Sequence, residues 1–174
     1  ELINDVLDIA RIESGKLDLD IHPANMKQLV QRVVDVVKPR AQEKGLEFVL
    51  DIGALPTAIF TDAMRLSQIL INLLGNAVKF TQEGFVRLRV SNDIRQSELT
   101  FFIEDSGSGI PEHRLEEIFG PFSQTISGKR AGGAGLGLAI SRQLSEALGG
   151  CLSASSDPGE GSVFYLELPY VLVG

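Results

Sequence analysis

Residues 62–80 contain the stretch that decides the fold, Asp62-Ala-Met-Arg-Leu-Ser-Gln-Ile-Leu-Ile-Asn72-Leu-Leu-Gly-Asn76-Ala-Val-Lys79-Phe80. Its apolar residues recur with helical spacing after a good N-cap residue, which predicts a helix to about Lys79. Asn72, Asn76 and Lys79 share one face of that helix. Two carboxamides and an ammonium group suit a metal–triphosphate, because amide oxygens bind Mg²⁺ and lysine binds phosphate. A half-exposed helix with amides on its polar face is an equally good interpretation of this stretch alone.

A second polar motif reads Ile103-Glu-Asp105-Ser-Gly107-Ser-Gly109-Ile-Pro111 and follows a predicted strand. The Asp105 carboxylate could accept a hydrogen bond from an exocyclic amine, while the glycines would let a flat ring approach the backbone. The alternative is a tight turn after a strand that happens to contain an aspartate. For so short a pattern, that alternative is the better one in isolation.

A glycine-rich loop leads directly into a predicted helix, with the sequence Gly132-Gly-Ala-Gly135-Leu-Gly137-Leu-Ala-Ile140. Free N–H groups at a helix N-terminus form a phosphate site, and we favour that role over a purely structural loop. The common P-loop and dinucleotide fingerprints are both absent. The segment Gly159-Glu-Gly161-Ser162-Val-Phe164 predicts only a hairpin turn by itself.

Around these motifs, helices and strands mix without a regular βαβ alternation. Helices are predicted at residues 1–14, 26–44 and 136–148, with a short helix after Pro111. Strands are predicted at 17–21, 48–52, 58–60, 85–91, 99–104, 152–155 and 163–168. The strands at 85–91 and 99–104 are expected to form a hairpin. The pattern favours an α+β two-layer sandwich over a doubly wound sheet.

Composition and charge exclude several classes of protein. The 174 residues include 16 Lys and Arg against 23 Asp and Glu, a formal net charge of −7, which argues against a nucleic-acid binder. A nucleotide binder needs only one local positive patch. Cys151 alone cannot form an internal disulfide, and the isolated His22 and His113 indicate no metal cluster or catalytic triad. No apolar run approaches the roughly 20 residues of a membrane span. We therefore expect one soluble domain from a reducing compartment.

In this order and spacing, the four motifs closely resemble the N, G1, G2 and G3 boxes of sensor histidine kinases. Those boxes belong to the ATP-binding catalytic domain of the GHKL ATPase superfamily. Ile118-Phe119-Gly-Pro-Phe122-Ser-Gln124 similarly resembles the F box. The resemblance covers about residues 24–169. It implies a protein histidine kinase of the hybrid sensor type, with a Bergerat-type fold, a mixed sheet and helices on one face.

The resemblance also implies a role for individual residues. Asp105 would accept from the adenine amino group, with Gly109 beside the ring and Ser162 assisting through its hydroxyl or a water. Asn76 would hold Mg²⁺, Asn72 would lie near the terminal phosphates, and Lys79 would contact phosphate oxygens. These three form the implied catalytic set. The remaining implied ATP-binding residues are Phe80, Gly107, Ile110, Lys129, Arg130, Gly133, Gly135, Leu136, Gly137 and Leu138. Residues 123–134 would form a mobile ATP lid.

Residues 1–14 have helical spacing with no cap before them, which predicts that the chain begins inside a helix of a longer protein. Residues 7–16 resemble the end of the second helix of the dimerisation and phosphoacceptor hairpin, so residues 1–16 would belong to that hairpin and residues 17–174 would be the catalytic domain. The H box with its phosphorylatable histidine would lie upstream, and neither His22 nor His113 has its surroundings. The implied partners are ATP, that hairpin domain in a full-length dimer, and a response-regulator receiver domain. The implied location is the cytoplasmic side of a membrane-anchored sensor, with no nucleic acid bound.

The predicted lid departs from the common family pattern. Lys129 stands where an arginine is often seen, and a lysine cannot reproduce a bidentate guanidinium contact. This departure motivates an alternative function, a regulatory interaction module with the same fold and little or no kinase activity. A second alternative is an ATPase that hydrolyses ATP to drive dimerisation. It is disfavoured because no Glu or Asp accompanies Asn72 and Asn76 as a base for water.

Overall fold

The structure is a computed structural model that describes residues 2–120 and 137–174. Its helices are α1 (Leu2–Glu13), α2 (Met26–Glu43), α3 (Ala63–Phe80) and α4 (Gly137–Ala147), with two 3-10 turns at Glu112–Arg114 and Glu117–Phe119. Its strands are β1 (His22–Asn25), β2 (Glu47–Ile52), β3 (Ala58–Thr61), β4 (Phe85–Asp93), β5 (Glu98–Asp105), β6 (Cys151–Asp157) and β7 (Gly161–Pro169). None of the helices in these two ranges is long and apolar enough to cross a membrane.

Five strands form one mixed sheet in the order β2-β4-β5-β7-β6. The β2–β4 pair is parallel, whereas the three other pairs are antiparallel. The register places Asp105, the last residue of β5, directly opposite Ser162 on β7. The motifs around Asp105 and Ser162 are therefore brought together by strand pairing.

The helices cover one face of this sheet, as predicted. Alternate residues of the central strands, such as Leu88, Phe101 and Leu166, are fully buried against them. The intervening residues face the other way and stay partly exposed, with the Arg89 guanidinium 3.9 Å from the centre of the Phe102 ring. Helix α3 lies in the middle of the helical layer and contacts both α2 and α4. The expected two-layer α+β architecture is confirmed.

Most of the predicted elements are present with shifted ends. Asp62 caps α3 because its Oδ1 accepts from the N–H of Arg65 at 3.1 Å. The hairpin is formed by β4 and β5. The strand predicted at residues 17–21 is wrong, since the strand begins only at His22. The N–H of Asp20 donates instead to Asp62 Oδ2 at 3.0 Å. The Asp62 side chain, which also caps α3, therefore binds an N–H group that would otherwise be available for strand pairing.

Helix α1 packs beside α3 and α4. Its Asp8 side chain is buried, with Oδ1 3.4 Å from Nη1 of Arg65 and Oδ2 accepting from Nε2 of Gln68 at 3.2 Å. Ile9 and Ile12 are partly buried against the main core. A short second sheet pairs β1 with β3 antiparallel, outside the five-stranded one.

Candidate functional site

The polar face of α3 carries the three side chains predicted from its sequence. Asn72, Asn76 and Lys79 are each half-buried, while the opposite face fills the core. The Lys79 ammonium lies 5.4 Å from the centre of the Phe80 ring. The helix ends at Thr81, whose N–H and hydroxyl both donate to the carbonyl of Ala77. The helix thus ends immediately after the residues expected to bind phosphate.

Asn72 connects α3 to the start of α4. Its amide Nδ2 donates to the hydroxyl of Ser141 at 2.7 Å. Gly137 lies against the same amide, since a Cβ atom at Gly137 would be 2.5 Å from Asn72 Oδ1. The N-terminal turn of α4, whose first N–H groups have no partner within the helix, is therefore held directly beside the amide face of α3.

The Asp105 carboxyl lies at the end of β5 and turns back onto its own chain. Its Oδ1 accepts from the N–H of Gly107 at 2.9 Å. Burial raises the pKa of Asp105, and hydrogen bonds from the N–H groups of Gly107 and Ser162 partly offset that effect. A partly desolvated carboxylate is a strong acceptor for an amine that enters the same place.

Close packing explains the glycines in the turn after Asp105. A Cβ atom at Gly107 would be 2.9 Å from the carbonyl oxygen of Phe80, so this turn lies against the end of α3. Gly109 has a φ of +73°, and a Cβ atom there would collide with the carbonyl oxygen of Asp157. Only glycine fits both requirements at Gly109.

Ser156 holds the turn from the other side. Its hydroxyl accepts from the N–H of Ile110 at 2.7 Å and donates to the carbonyl of Gly161 at 2.8 Å. It also lies 2.9 Å from the hydroxyl of Ser162. The Ser156 side chain therefore links the turn after Asp105 to the β6–β7 hairpin. This link lies beside Ser162, which is predicted to assist adenine binding.

The described site residues converge around the second half of α3. They come from α3 itself, from the turn after β5, from the first turn of α4, which includes Leu138, and from β7. The predicted residues Lys129, Arg130, Gly133, Gly135 and Leu136 lie outside the described residues, as does the predicted lid. Phe119 of the predicted F box is buried, packing edge-on against Phe164 with ring centres 6.2 Å apart.

Sequence reasoning did not find Lys44, Ser141 and Ser156. Lys44 ends α2, and its Nζ donates to the carbonyls of Val78 and Lys79. Desolvation by burial lowers the pKa of Lys44. No local pattern distinguishes these three residues from ordinary surface or strand residues, because each acts on a partner far away in the sequence.

The donor set fits a nucleotide with a bound cation. Within residues 2–120 and 137–174, no group of three or more His, Cys, Asp and Glu side chains could hold a metal. An ion such as Mg²⁺ would then be held by an amide oxygen together with phosphates and water, which is its usual mode of binding beside a nucleotide. Asn76 offers such an oxygen. The missing side chains of Gly109 and Gly137 let the Asp157 carbonyl and the Asn72 amide pack against the two ends of the site.

A family model described as histidine kinase-, DNA gyrase B-, and HSP90-like ATPase matches residues 61–172. The chain belongs to this ATPase family. The ATPase domain is 38% identical over 179 residues to the hybrid signal transduction protein dokA of Dictyostelium discoideum, covering 96% of this chain and 11% of dokA. It is 41% identical over 171 residues to the aerobic respiration control sensor protein ArcB of Escherichia coli (strain K12), covering 96% of this chain and 22% of ArcB. The chain thus spans less than a quarter of either relative.

Solved structures give the same assignment for the ATPase domain. Full-length ShkA in complex with AMPPNP superposes with a TM-score of 0.89 at 39% identity, covering 99% of this chain and 36% of ShkA. The catalytic domain of histidine kinase ThkA superposes with a TM-score of 0.75 at 27% identity, covering 87% of this chain and 96% of that domain. The predicted resemblance to the ATP-binding domains of hybrid sensor histidine kinases is confirmed.

Proposed function

We propose that this ATPase domain binds Mg²⁺-ATP and presents the γ-phosphate to a histidine on a neighbouring phosphoacceptor domain. The observation that carries the proposal is the position of α3, whose second half contacts both the Asp105 turn and the start of α4. Asn72 lies against Gly137, and Phe80 lies against Gly107. A purine site and a phosphate site on the two sides of one helix match the two ends of ATP.

Each side chain has a distinct part in this proposal. Asp105 accepts from the adenine amino group, Gly109 lets the ring approach, and Ser162 assists adenine binding through its hydroxyl or a water. Asn72 and Lys79 bind phosphate oxygens together with the N–H groups of Gly137 and Leu138. Bound Mg²⁺, held through Asn76, neutralises phosphate charge. Positioning and charge neutralisation supply most of the catalysis in phosphoryl transfer.

The proposal also covers the domain organisation of the chain and its partners. Residues 1–16 are the end of the phosphoacceptor hairpin, and residues 17–174 are the catalytic domain. The acceptor histidine lies on that hairpin, and a receiver domain takes the phosphoryl group next. We also place the domain on the cytoplasmic side of a membrane sensor. The relatives with the word sensor in their names support the sensor part of this proposal. The histidine kinase ThkA has been solved in complex with the response regulator protein TrrA. That complex supports the proposal that a receiver domain is a partner of this chain.

Two measurements test the function. Isothermal titration should show binding of Mg²⁺-ATP and much weaker binding of Mg²⁺-GTP, because guanine has a carbonyl where adenine has its amino group. With γ-labelled ATP, the chain alone should gain no phosphohistidine, whereas an added phosphoacceptor hairpin should become labelled slowly, since the two parts are not linked. Equal affinity for ATP and GTP would contradict the adenine site. ATP binding without any transfer would favour the regulatory module instead.

A further inference from the structure

Lys44 reaches from the end of α2 to the last turn of α3. Its ammonium group donates to the carbonyl of Val78 at 2.8 Å and to that of Lys79 at 2.9 Å. The last carbonyls of a helix have no partner within the helix, and they form the negative end of its dipole. Two charge-assisted hydrogen bonds from one side chain therefore fix this turn in place.

The turn that Lys44 holds carries one of the residues that we propose to bind phosphate. It carries the Lys79 side chain, and the next carbonyl, that of Phe80, lies against Gly107 in the Asp105 turn. A small rotation of the turn would move the Lys79 ammonium relative to the amide face formed by Asn72 and Asn76. The ammonium group and the two amides would then no longer be positioned to contact the same triphosphate at the same time.

We propose that Lys44 is a positioning residue that orients Lys79 toward the phosphates of the bound nucleotide. This inference rests on the proposed function, because it requires Lys79 to bind phosphate. Lys44 acts through the main chain of Val78 and Lys79, so its effect reaches the ligand through the Lys79 side chain. Its loss should weaken the recognition of phosphates and leave the recognition of adenine unchanged.

The test compares nucleotides that differ in phosphate content. Lys44→Met should weaken ATP binding by roughly three- to tenfold and leave adenosine binding unchanged. In a chain that already carries Lys79→Met, the same substitution should cause no further loss of ATP affinity. Lys44→Arg should restore most of the affinity, because a guanidinium can donate to both carbonyls. Lys38→Met is the matched control, since Lys38 is exposed on the same helix.

Thermal unfolding of each variant shows whether it is folded, and Lys44→Gln replaces Lys44→Met if the latter does not fold. Equal losses for ATP and adenosine, or losses that add in the double variant, would overturn the inference. Lys44 would then only join α2 to α3. If the wild-type chain binds ATP no more tightly than adenosine, the proposed role of Lys79 in phosphate binding is overturned, and this inference with it. A wild-type chain that binds neither ligand would overturn the proposed function as well.

Discussion

The amide of Asn72 donates a hydrogen bond to the hydroxyl of Ser141 at 2.7 Å, joining the middle of α3 to the second turn of α4. The contact fixes the amide that is expected to lie near the terminal phosphates. It also fixes the N-terminal turn of α4, whose Gly137 lies against the same side chain. The two elements that we propose to bind phosphate are therefore coupled through one side-chain contact.

Ser141→Ala should weaken ATP binding severalfold and lower the free energy of unfolding by about 1 kcal/mol, the usual cost of one lost hydrogen bond. Isothermal titration and chemical denaturation measure the two effects. Ser145→Ala is the matched control, because Ser145 is also buried on α4 but its hydroxyl bonds to the carbonyl of Ser141 within the helix. If both variants bind ATP equally well, Asn72 is held by other contacts.

Asp105→Asn should weaken ATP binding by roughly 10- to 150-fold, since it replaces a charged acceptor of the adenine amine. The variant should stay folded because the amide oxygen can still accept from the N–H of Gly107. Glu104→Gln is the control, as Glu104 lies on the opposite face of β5 and pairs with Arg87 at 3.0 Å. Unchanged ATP affinity in a folded Asp105→Asn variant would contradict the adenine site.

The raised pKa of Asp105 predicts the sign of two pH effects. ATP affinity should fall as the pH drops through this raised pKa, because the ionised carboxylate is a stronger acceptor for the adenine amine than the protonated acid. In the chain without ligand, the folded state binds this proton more tightly than the unfolded state. The free energy of unfolding therefore gains a contribution as the pH falls through the folded-state pKa toward the unfolded-state value. Asp105→Asn should remove both contributions, and parallel titrations of the wild type and variant test this.

Asn76→Ala should remove much of the gain in ATP affinity that Mg²⁺ provides, because the metal would lose its protein ligand. Asn76→Asp keeps an oxygen and adds charge, so it should change the dependence on divalent cations more than the recognition of adenine. Titrations of ATP with and without Mg²⁺ separate these effects. A metal-dependent gain that survives Asn76→Ala would place the ligand elsewhere.

Ser156→Ala should weaken the binding of adenosine and lower the free energy of unfolding by roughly 1–3 kcal/mol. The reason is that the N–H of Ile110 and the carbonyl of Gly161 both lose their side-chain partner. Ser155→Ala is the control, because Ser155 is exposed and points to the other face of β6. Equal adenosine affinities for the two variants would show that the Asp105 turn keeps its shape without Ser156.

The sequence by itself determined most of the helices and strands and the family. Helix α3 was predictable because its apolar spacing, its Asp62 cap and its polar face are all local features. The order of the four motifs also indicated the family, which the family model and the relatives confirm. The strand predicted at 17–21 was wrong because a distant cap side chain, that of Asp62, binds the N–H of Asp20.

Only the tertiary structure decided how the site is held together. Lys44 and Val78 are 34 positions apart in the chain, Ile110 and Ser156 are 46 apart, and Asn72 and Ser141 are 69 apart. A local pattern carries no information about such partners, because any exposed lysine or serine looks the same in sequence. Their pairing depends on the packing of α2 and α4 against α3 and on the register of β7 with β5. Those arrangements minimise the free energy of the whole core, so they cannot be read from one segment of the chain.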